Sequence, residues 1–194
     1  MKRVITKVKN NLYQFKILPK KSGIEELVIQ AMVFHAEGRI LQALALYKKI
    51  LEIDSQRVEV LINLGEIYFN TKRLFLAENC FRKALQIDKG YTPAMYNLAS
   101  VFEDTNRIDL AIEYYKNALS LRPQYSDCHY NLALLYVQTQ DLSQAIKHFK
   151  MYLKIAITDT QKDREIVKLQ IKRLQSQGLH IVRLSVVIKK SSRA

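Results

Sequence analysis

The chain has few of the residues that interrupt helices. Its 194 residues include five glycines, three prolines and no tryptophan. A sheet-rich protein needs many tight turns, and glycine and proline are the residues that most often form them. Their scarcity therefore favours helices. Hydrophobic residues make up 48% of the chain, which is enough for a buried core.

Cysteines and long apolar runs are scarce as well. Cys80 and Cys128 are the two cysteines, and no pairing motif surrounds them. We therefore expect free, buried thiols in a reducing compartment. No segment approaches the roughly 20 apolar residues of a membrane span, and the basic N-terminus lacks the apolar core of a secretory signal. These absences predict a cytoplasmic protein.

Signatures of enzymes are also missing. None of the four histidines, at positions 35, 129, 148 and 180, has metal-ligand spacing with cysteine or acidic residues. The chain has no glycine-rich phosphate-binding loop, and no serine or cysteine lies in a known nucleophile motif. The sequence therefore predicts a protein that is not an enzyme and has no cofactor, no metal and no small-molecule substrate.

The net charge of +13 is concentrated at the two ends. Residues 1–22 contain seven basic residues and no acidic one, and residues 160–194 contain nine basic and two acidic residues. Residues 23–159 are close to neutral. Basic ends of this kind bind the phosphates of nucleic acids or of anionic membranes, and solubilising tails have the same composition. Both interpretations stay open.

The most informative pattern is a repeat of 34 residues. One alanine recurs at this interval, and an aromatic residue follows four positions later, in the pairs Ala43 and Tyr47, Ala77 and Phe81, Ala111 and Tyr115, and Ala145 and Phe149. A fixed period of this length is typical of stacked helical repeats. It predicts repeats at residues 24–57, 58–91, 92–125 and 126–159, each with two helices. The turns between the helices are predicted at residues 37–39, 71–73, 105–107 and 139–141.

The segments outside the repeats are predicted separately. Residues 1–23 form a basic N-terminal segment and linker, and residues 179–194 form a basic tail that docks, pairs as a strand or stays loose. Residues 160–178 are predicted to form a capping helix. It has a capping box at Thr160 and Asp163, and Gly178 supplies a stop signal. Its apolar stripe is Val167, Ile171 and Leu174.

The repeats resemble those of the tetratricopeptide-repeat superfamily. The second repeat has the motif residues Leu61, Leu64, Gly65, Tyr68, Ala77, Phe81 and Ala84, and the third has Met95, Leu98, Ala99, Phe102, Ala111, Tyr115 and Ala118. The resemblance covers residues 24–159 and implies an all-α fold. The expected architecture is an α-α superhelix, a solenoid of four repeats plus the capping helix. It also implies a scaffold, adaptor or assembly factor whose first helices line a groove for a peptide or helix of a partner protein.

The same resemblance assigns ten residues to the peptide-binding groove. These are Asn63, Glu66, Phe69, Tyr96, Asn97, Glu103, Asp104, Asp127, Tyr130 and Asn131. The three asparagines recur at one repeat position, and an amide both donates to and accepts from a peptide backbone. Four of the ten are acidic, Glu25 and Glu59 at further groove positions bring the acidic residues to six, and none of the groove positions is Lys or Arg, so we expect a partner of basic or apolar character. A solvated acidic face and an asparagine that is simply common in the family explain the same residues, and these interpretations stay open.

Overall fold

The regular structure consists of α-helices throughout the part of the chain that is described. A computed structural model describes residues 23–156 and 160–191, with side chains up to residue 177. The chain divides into two compact units between Asn106 and Arg107. In the described ranges, no helix combines the length and apolar content needed to cross a bilayer.

The first unit contains two helix pairs and the first helix of a third. Within its described residues the helices are α1 (Gly23–Ala36), α2 (Ile40–Ile53), α3 (Val58–Asn70), α4 (Leu74–Ile87) and α5 (Thr92–Asp104). Helix α1 packs against α2, α3 packs against α4, and α5 packs against α4. The first two predicted helix pairs are therefore present in this unit.

The second unit continues the same pattern. Its described helices are α6 (Ile108–Leu121), α7 (Ser126–Gln138), α8 (Leu142–Ile155) and α9 (Gln161–Ser191). Helices α7 and α8 form a pair, and α9 packs against α8. A buried cluster joins these three helices and consists of Ala133, Ala145, Phe149, Tyr152, Ala156, Val167, Ile171 and Leu174.

The turns within the helix pairs lie where the 34-residue period predicts them. Each has one residue in the left-handed region, at Gly38 (φ 74°), Lys72 (φ 59°), Asn106 (φ 57°) and Gln140 (φ 61°). In the second turn, the Arg73 N–H donates to the Tyr68 carbonyl at 2.8 Å, which closes the end of α3. Such a left-handed residue after a helix lets the chain reverse within three residues.

Small residues allow close packing within the pairs, as the sequence predicts. Ala31, Ala99 and Ala133 are fully buried. At Gly65, an added Cβ would lie 2.5 Å from Cε1 of Phe81 on α4. Only glycine fits this contact between α3 and α4. Both cysteines are buried and free, in agreement with the prediction for the thiols.

Helix α9 starts and packs as predicted. The Thr160 hydroxyl donates to Asp163 Oδ2 at 2.6 Å and accepts from the Asp163 N–H at 3.2 Å, which completes the capping box. The Arg164 guanidinium donates to the carbonyls of Ala156 and Leu153 at 2.6 and 2.8 Å, and so binds the last carbonyls of α8. These bonds and the buried apolar stripe fix α9 on α8.

The predicted end of this helix at Gly178 is wrong. Helix α9 continues through Gly178 to Ser191, so the segment from residue 179 is neither a strand nor a loose tail over these positions. One internal glycine costs only about 1 kcal/mol relative to alanine, and no proline follows to break the helix. The predictions for residues 1–22, 157–159 and 192–194 fall outside the described residues.

Candidate functional site

Seven of the ten predicted groove residues lie on two first helices of the first unit. Asn63, Glu66 and Phe69 are on α3, and Tyr96, Asn97, Glu103 and Asp104 are on α5. All are half-buried except Asp104, which is exposed. Their placement follows from helical spacing, because residues three or four apart share one face of a helix. This set is called the α3–α5 face below.

Glu66 and Asn97 connect the two helices of this face. The Asn97 side-chain amide donates to Glu66 Oε1 at 3.2 Å. Burial raises the pKa of Glu66, and the bond from Asn97 opposes that shift. In the described ranges, Glu66 has no ion pair with a basic side chain. The carboxylate is therefore partly desolvated and lacks a cation.

A buried tyrosine lies beside Glu66. Tyr47 on α2 is 0% exposed, and its hydroxyl is the one fully buried side-chain polar atom without a hydrogen bond among the described residues. Burial raises the pKa of Tyr47, and the nearby Glu66 carboxylate raises it further. His35 contacts the Tyr47 ring edge-on, with the ring centroids 6.2 Å apart.

Acidic residues also surround Tyr91, which precedes α5. Burial raises the pKa of Tyr91, and the charges of Glu59, Glu66 and Asp88 raise it further. Three acidic side chains therefore lie close enough to act on the Tyr91 hydroxyl.

The other end of the α3–α5 face is less acidic than the sequence suggests. Lys72, from the turn after α3, forms a 2.6 Å ion pair with Asp104. Its ammonium group also lies 5.6 Å from the centre of the Phe69 ring. The turn residue thus partly neutralises the acidic end. Sequence reasoning missed this pair because it considered only residues of the first helices.

The remaining three predicted residues lie on α7 of the second unit. The Asn131 amide donates to the Tyr115 hydroxyl at 2.9 Å, so this asparagine is bonded inside its own unit. Tyr130 packs on Phe149 and Tyr152, with ring centroids 5.9 and 5.1 Å apart. Tyr130 therefore contributes to the core of this unit. Asp127 is exposed.

Two histidines form a second polar cluster on α7 and α8. His129 Nε2 lies 3.0 Å from the Pro123 carbonyl, and His129 Nδ1 lies 2.9 Å from His148 Nδ1. A carbonyl only accepts, so Nε2 of His129 holds a hydrogen and Nδ1 of neutral His129 accepts from His148. Tyr136 stacks on the His148 ring. Burial, with added repulsion from His129, Lys147 and Lys116, lowers the pKa of His148 to about 4.

The thiols are not activated nucleophiles. Burial raises the pKa of Cys80 to about 11 and that of Cys128 to about 12. A reactive cysteine has a lowered pKa, because the thiolate is the nucleophile. Among the described residues, no three His, Cys, Asp or Glu side chains are grouped to bind a metal.

The spacing between tyrosine and asparagine residues is a sequence feature that the analysis of the repeats did not use. Tyr47 precedes Asn63 by the same interval at which Tyr115 precedes Asn131. One pair is bonded, and the other is not. Pairing the aromatic position of one repeat with the asparagine position of the next would have drawn attention to Tyr47.

The chain belongs to the tetratricopeptide-repeat family. The family model described as "Tetratricopeptide repeat" matches residues 56–124 and 91–158, which together span more than half of the chain. The predicted family and the predicted all-α solenoid class are thereby confirmed. No curated protein sequence is significantly similar to the chain.

Solved structures of MamA proteins have the same fold. One MamA crystal structure has a TM-score of 0.65 at 22% identity and covers 82% of this chain and 88% of its own. The structure of MamA residues 41 to the end from Desulfovibrio magneticus RS-1 has a TM-score of 0.64 at 18% identity, and covers 70% of this chain and 77% of its own. At this level of identity the similarity concerns the fold alone.

Proposed function

We propose that the chain is a non-enzymatic adaptor that binds a segment of a partner protein on its first helices. The observation that carries this proposal is the α3–α5 face, where half-buried asparagine, acidic and aromatic side chains lie on two first helices of one compact unit. The second helices differ, because they expose basic side chains, namely Lys48, Lys49, Arg82 and Lys83. A tetratricopeptide-repeat protein is a scaffold for proteins, and this face has the side chains to hold one.

The energetics require aromatic anchors in addition to asparagines. A hydrogen bond contributes about 0.5–1.5 kcal/mol net, whereas micromolar binding needs about −8 kcal/mol. Asn97 and Asn131 already donate within the protein. Phe69 and Tyr96 on the α3–α5 face supply the apolar area that interface hot spots usually bury.

The charge of the face favours a basic or apolar partner. Glu59 and Glu66 form no ion pair with a described side chain. Phosphate binding through the basic ends is the alternative function, and it rests on the charge of residues 1–22 and 160–194. Strong dependence on salt would identify that alternative, because phosphate contacts release counterions.

Selection from a displayed random peptide library with the full chain tests the proposal. We expect enriched peptides to bind in solution, and we expect Phe69→Ala to weaken them about tenfold or more, or about 1.4 kcal/mol. Lys48→Ala, on an exposed second-helix position, is the matched control and should leave binding unchanged. If no peptide is enriched, or if Phe69→Ala and Asn63→Ala bind every peptide as well as the natural chain does, the proposal is wrong.

A further inference from the structure

We propose that the Tyr47 hydroxyl, the Asn63 amide and the Glu66 carboxylate bind one basic side chain, lysine or arginine, of the partner segment. This inference rests on the proposed function and names the chemistry recognised at one point of the α3–α5 face. The three residues come from two adjacent helices, α2 and α3. Asn63 and Glu66 are three residues apart and so lie on one side of α3.

The first argument is the unsatisfied hydrogen-bonding capacity at this point. The Tyr47 hydroxyl is fully buried without a partner. Leaving a buried polar group unpaired is unfavourable, because the group has lost its hydrogen bonds to water. The Asn63 side chain, which is half-buried and occupies the repeat position equivalent to Asn131, forms no hydrogen bond in the described part of the chain. Both groups thus have hydrogen-bonding capacity that the described part of the chain does not use. Because the Tyr47 hydroxyl is fully buried, a ligand reaches it only when the side chains that cover it move.

In the second unit, the tyrosine and the asparagine at the equivalent repeat positions form a hydrogen bond with each other. Tyr115 and Asn131 occupy the equivalent positions and bond to each other at 2.9 Å. The position equivalent to Glu66 is Leu134 there. The tyrosine without a hydrogen bond, Tyr47, therefore occurs together with the acidic Glu66, and the hydrogen-bonded Tyr115 occurs together with the apolar Leu134. This difference links the unsatisfied groups of the first unit to Glu66.

The third argument identifies the ligand as a cation. Glu66 receives one hydrogen bond, from Asn97 to Oε1, and lacks a basic partner among the described side chains. The Glu66 carboxylate, the Tyr47 oxygen and the Asn63 carbonyl oxygen all accept hydrogen bonds. Ammonium and guanidinium groups only donate, with three and five N–H groups. The negative charges of Glu59 and Asp88 near Tyr91 attract a cation and repel a carboxylate.

Titration of the full chain with N-acetyl-arginine amide tests the site directly. The side-chain carboxyl 13C resonance of Glu66, assigned by its loss in Glu66→Gln, should shift and saturate. N-acetyl-citrulline amide has the same shape without the charge, and we expect it to bind about tenfold or more weakly, or about 1.4 kcal/mol. Tyr47→Phe should weaken the arginine probe several-fold, whereas the matched Tyr115→Phe should not.

The library-selected peptides provide the second readout. For a peptide that needs its Lys or Arg, Glu66→Gln should lower the affinity about tenfold. In the Glu66→Gln variant, replacing the peptide's arginine by citrulline should cause no further loss of affinity. If the Glu66 resonance responds equally to both probes or to neither, the inference is overturned. Peptides that still depend on Phe69 but not on Glu66 would overturn this inference alone and leave the proposed function intact. Failure to select any peptide would overturn both.

Discussion

The hydroxyl groups of Tyr47 and Tyr115 occupy equivalent repeat positions but differ in their bonding. Tyr47→Phe removes an unpaired buried hydroxyl, so we expect the free energy of unfolding to stay constant or to increase by about 1–2 kcal/mol. Tyr115→Phe removes the bond from Asn131, and we expect a decrease of about 1 kcal/mol. Urea denaturation of the two variants measures both changes. Equal destabilisation would mean that Tyr47 is hydrogen-bonded in solution.

Gln140 has a backbone conformation that is sterically unfavourable for a residue with a Cβ. Its φ of 61° lies in the left-handed region, and its side chain is exposed. Glycine adopts this region without the steric cost of a Cβ, which is about 1 kcal/mol or more. We therefore expect Gln140→Gly to raise the melting temperature of the second unit. Lys150→Gly, at an exposed position inside α8, is the control and should lower it, because glycine costs about 1 kcal/mol within a helix.

The hydrogen-bond partners of the three groove asparagines could not be predicted from the sequence. The sequence placed the asparagines on first helices because their interval matches the helix pairs. It could not show that Asn97 and Asn131 donate to Glu66 and Tyr115 while Asn63 stays open. Those outcomes depend on differences in side-chain placement of an ångström or less, which a repeat pattern does not contain.

At the scale of helices, the contact between α3 and α4 depends on Gly65. Gly65→Ala places a methyl group 2.5 Å from the ring of Phe81, which is 1% exposed, so the ring must shift within the core. Overpacking costs about 1–3 kcal/mol and should exceed the gain of about 1 kcal/mol from helix propensity. We expect a net loss of stability by thermal denaturation. Gly23→Ala meets no atom within 4 Å and should not lose stability. Equal stability of both variants would contradict the packing argument.

The histidine pair makes the packing of α7 on α8 sensitive to acid. The pKa of His148 is lowered to about 4 in the folded protein from 6.5, so the unfolded chain binds its proton first as pH falls. This contribution to stability is complete above about pH 6.5 and is lost as pH falls toward 4. We expect a loss of about 1–3 kcal/mol over this range. His35, whose pKa is also lowered by burial, adds to the slope.

Comparison with His148→Gln isolates the effect. Unfolding of the natural chain and the variant at pH 7, 6 and 5 should show a smaller decrease for the variant, because glutamine does not titrate. Lys147→Gln, which removes one of the charges that disfavour the protonated ring, should reduce the decrease slightly. An identical pH dependence in the natural chain and in His148→Gln would show that the pair is not responsible.

Features that recur with the 34-residue period could be predicted from the sequence. The turns between the helices and the small residues at the pair contacts are such features. The end of α9 is not, because Gly178 is tolerated inside a helix as well as after one. The ion pair from Lys72 to Asp104 joins residues 32 positions apart, and neither residue signals the other in the sequence.

At the scale of the whole molecule, the charged ends and the first helices predict different responses to salt. If the first helices bind the partner, removal of residues 1–22 should leave affinity for a selected peptide within about twofold, because the described residues of the α3–α5 face begin beyond this segment. The charged component of binding should weaken only modestly as salt increases. Fluorescence anisotropy at low and high salt measures both effects. A steep loss with salt that disappears on truncation would instead assign binding to the ends.

The burial of Glu66 has a consequence for the heat of association. Because burial raises the pKa of this carboxyl group, it begins to take up a proton at a higher pH than an exposed glutamate does, and in mildly acidic buffer a bound cation would favour the ionised form and release that proton. The affinity for a cation should therefore start to fall at a higher pH than it would at an exposed glutamate. Calorimetry in two mildly acidic buffers of different ionisation enthalpy would give different heats for the natural chain and the same heat for Glu66→Gln.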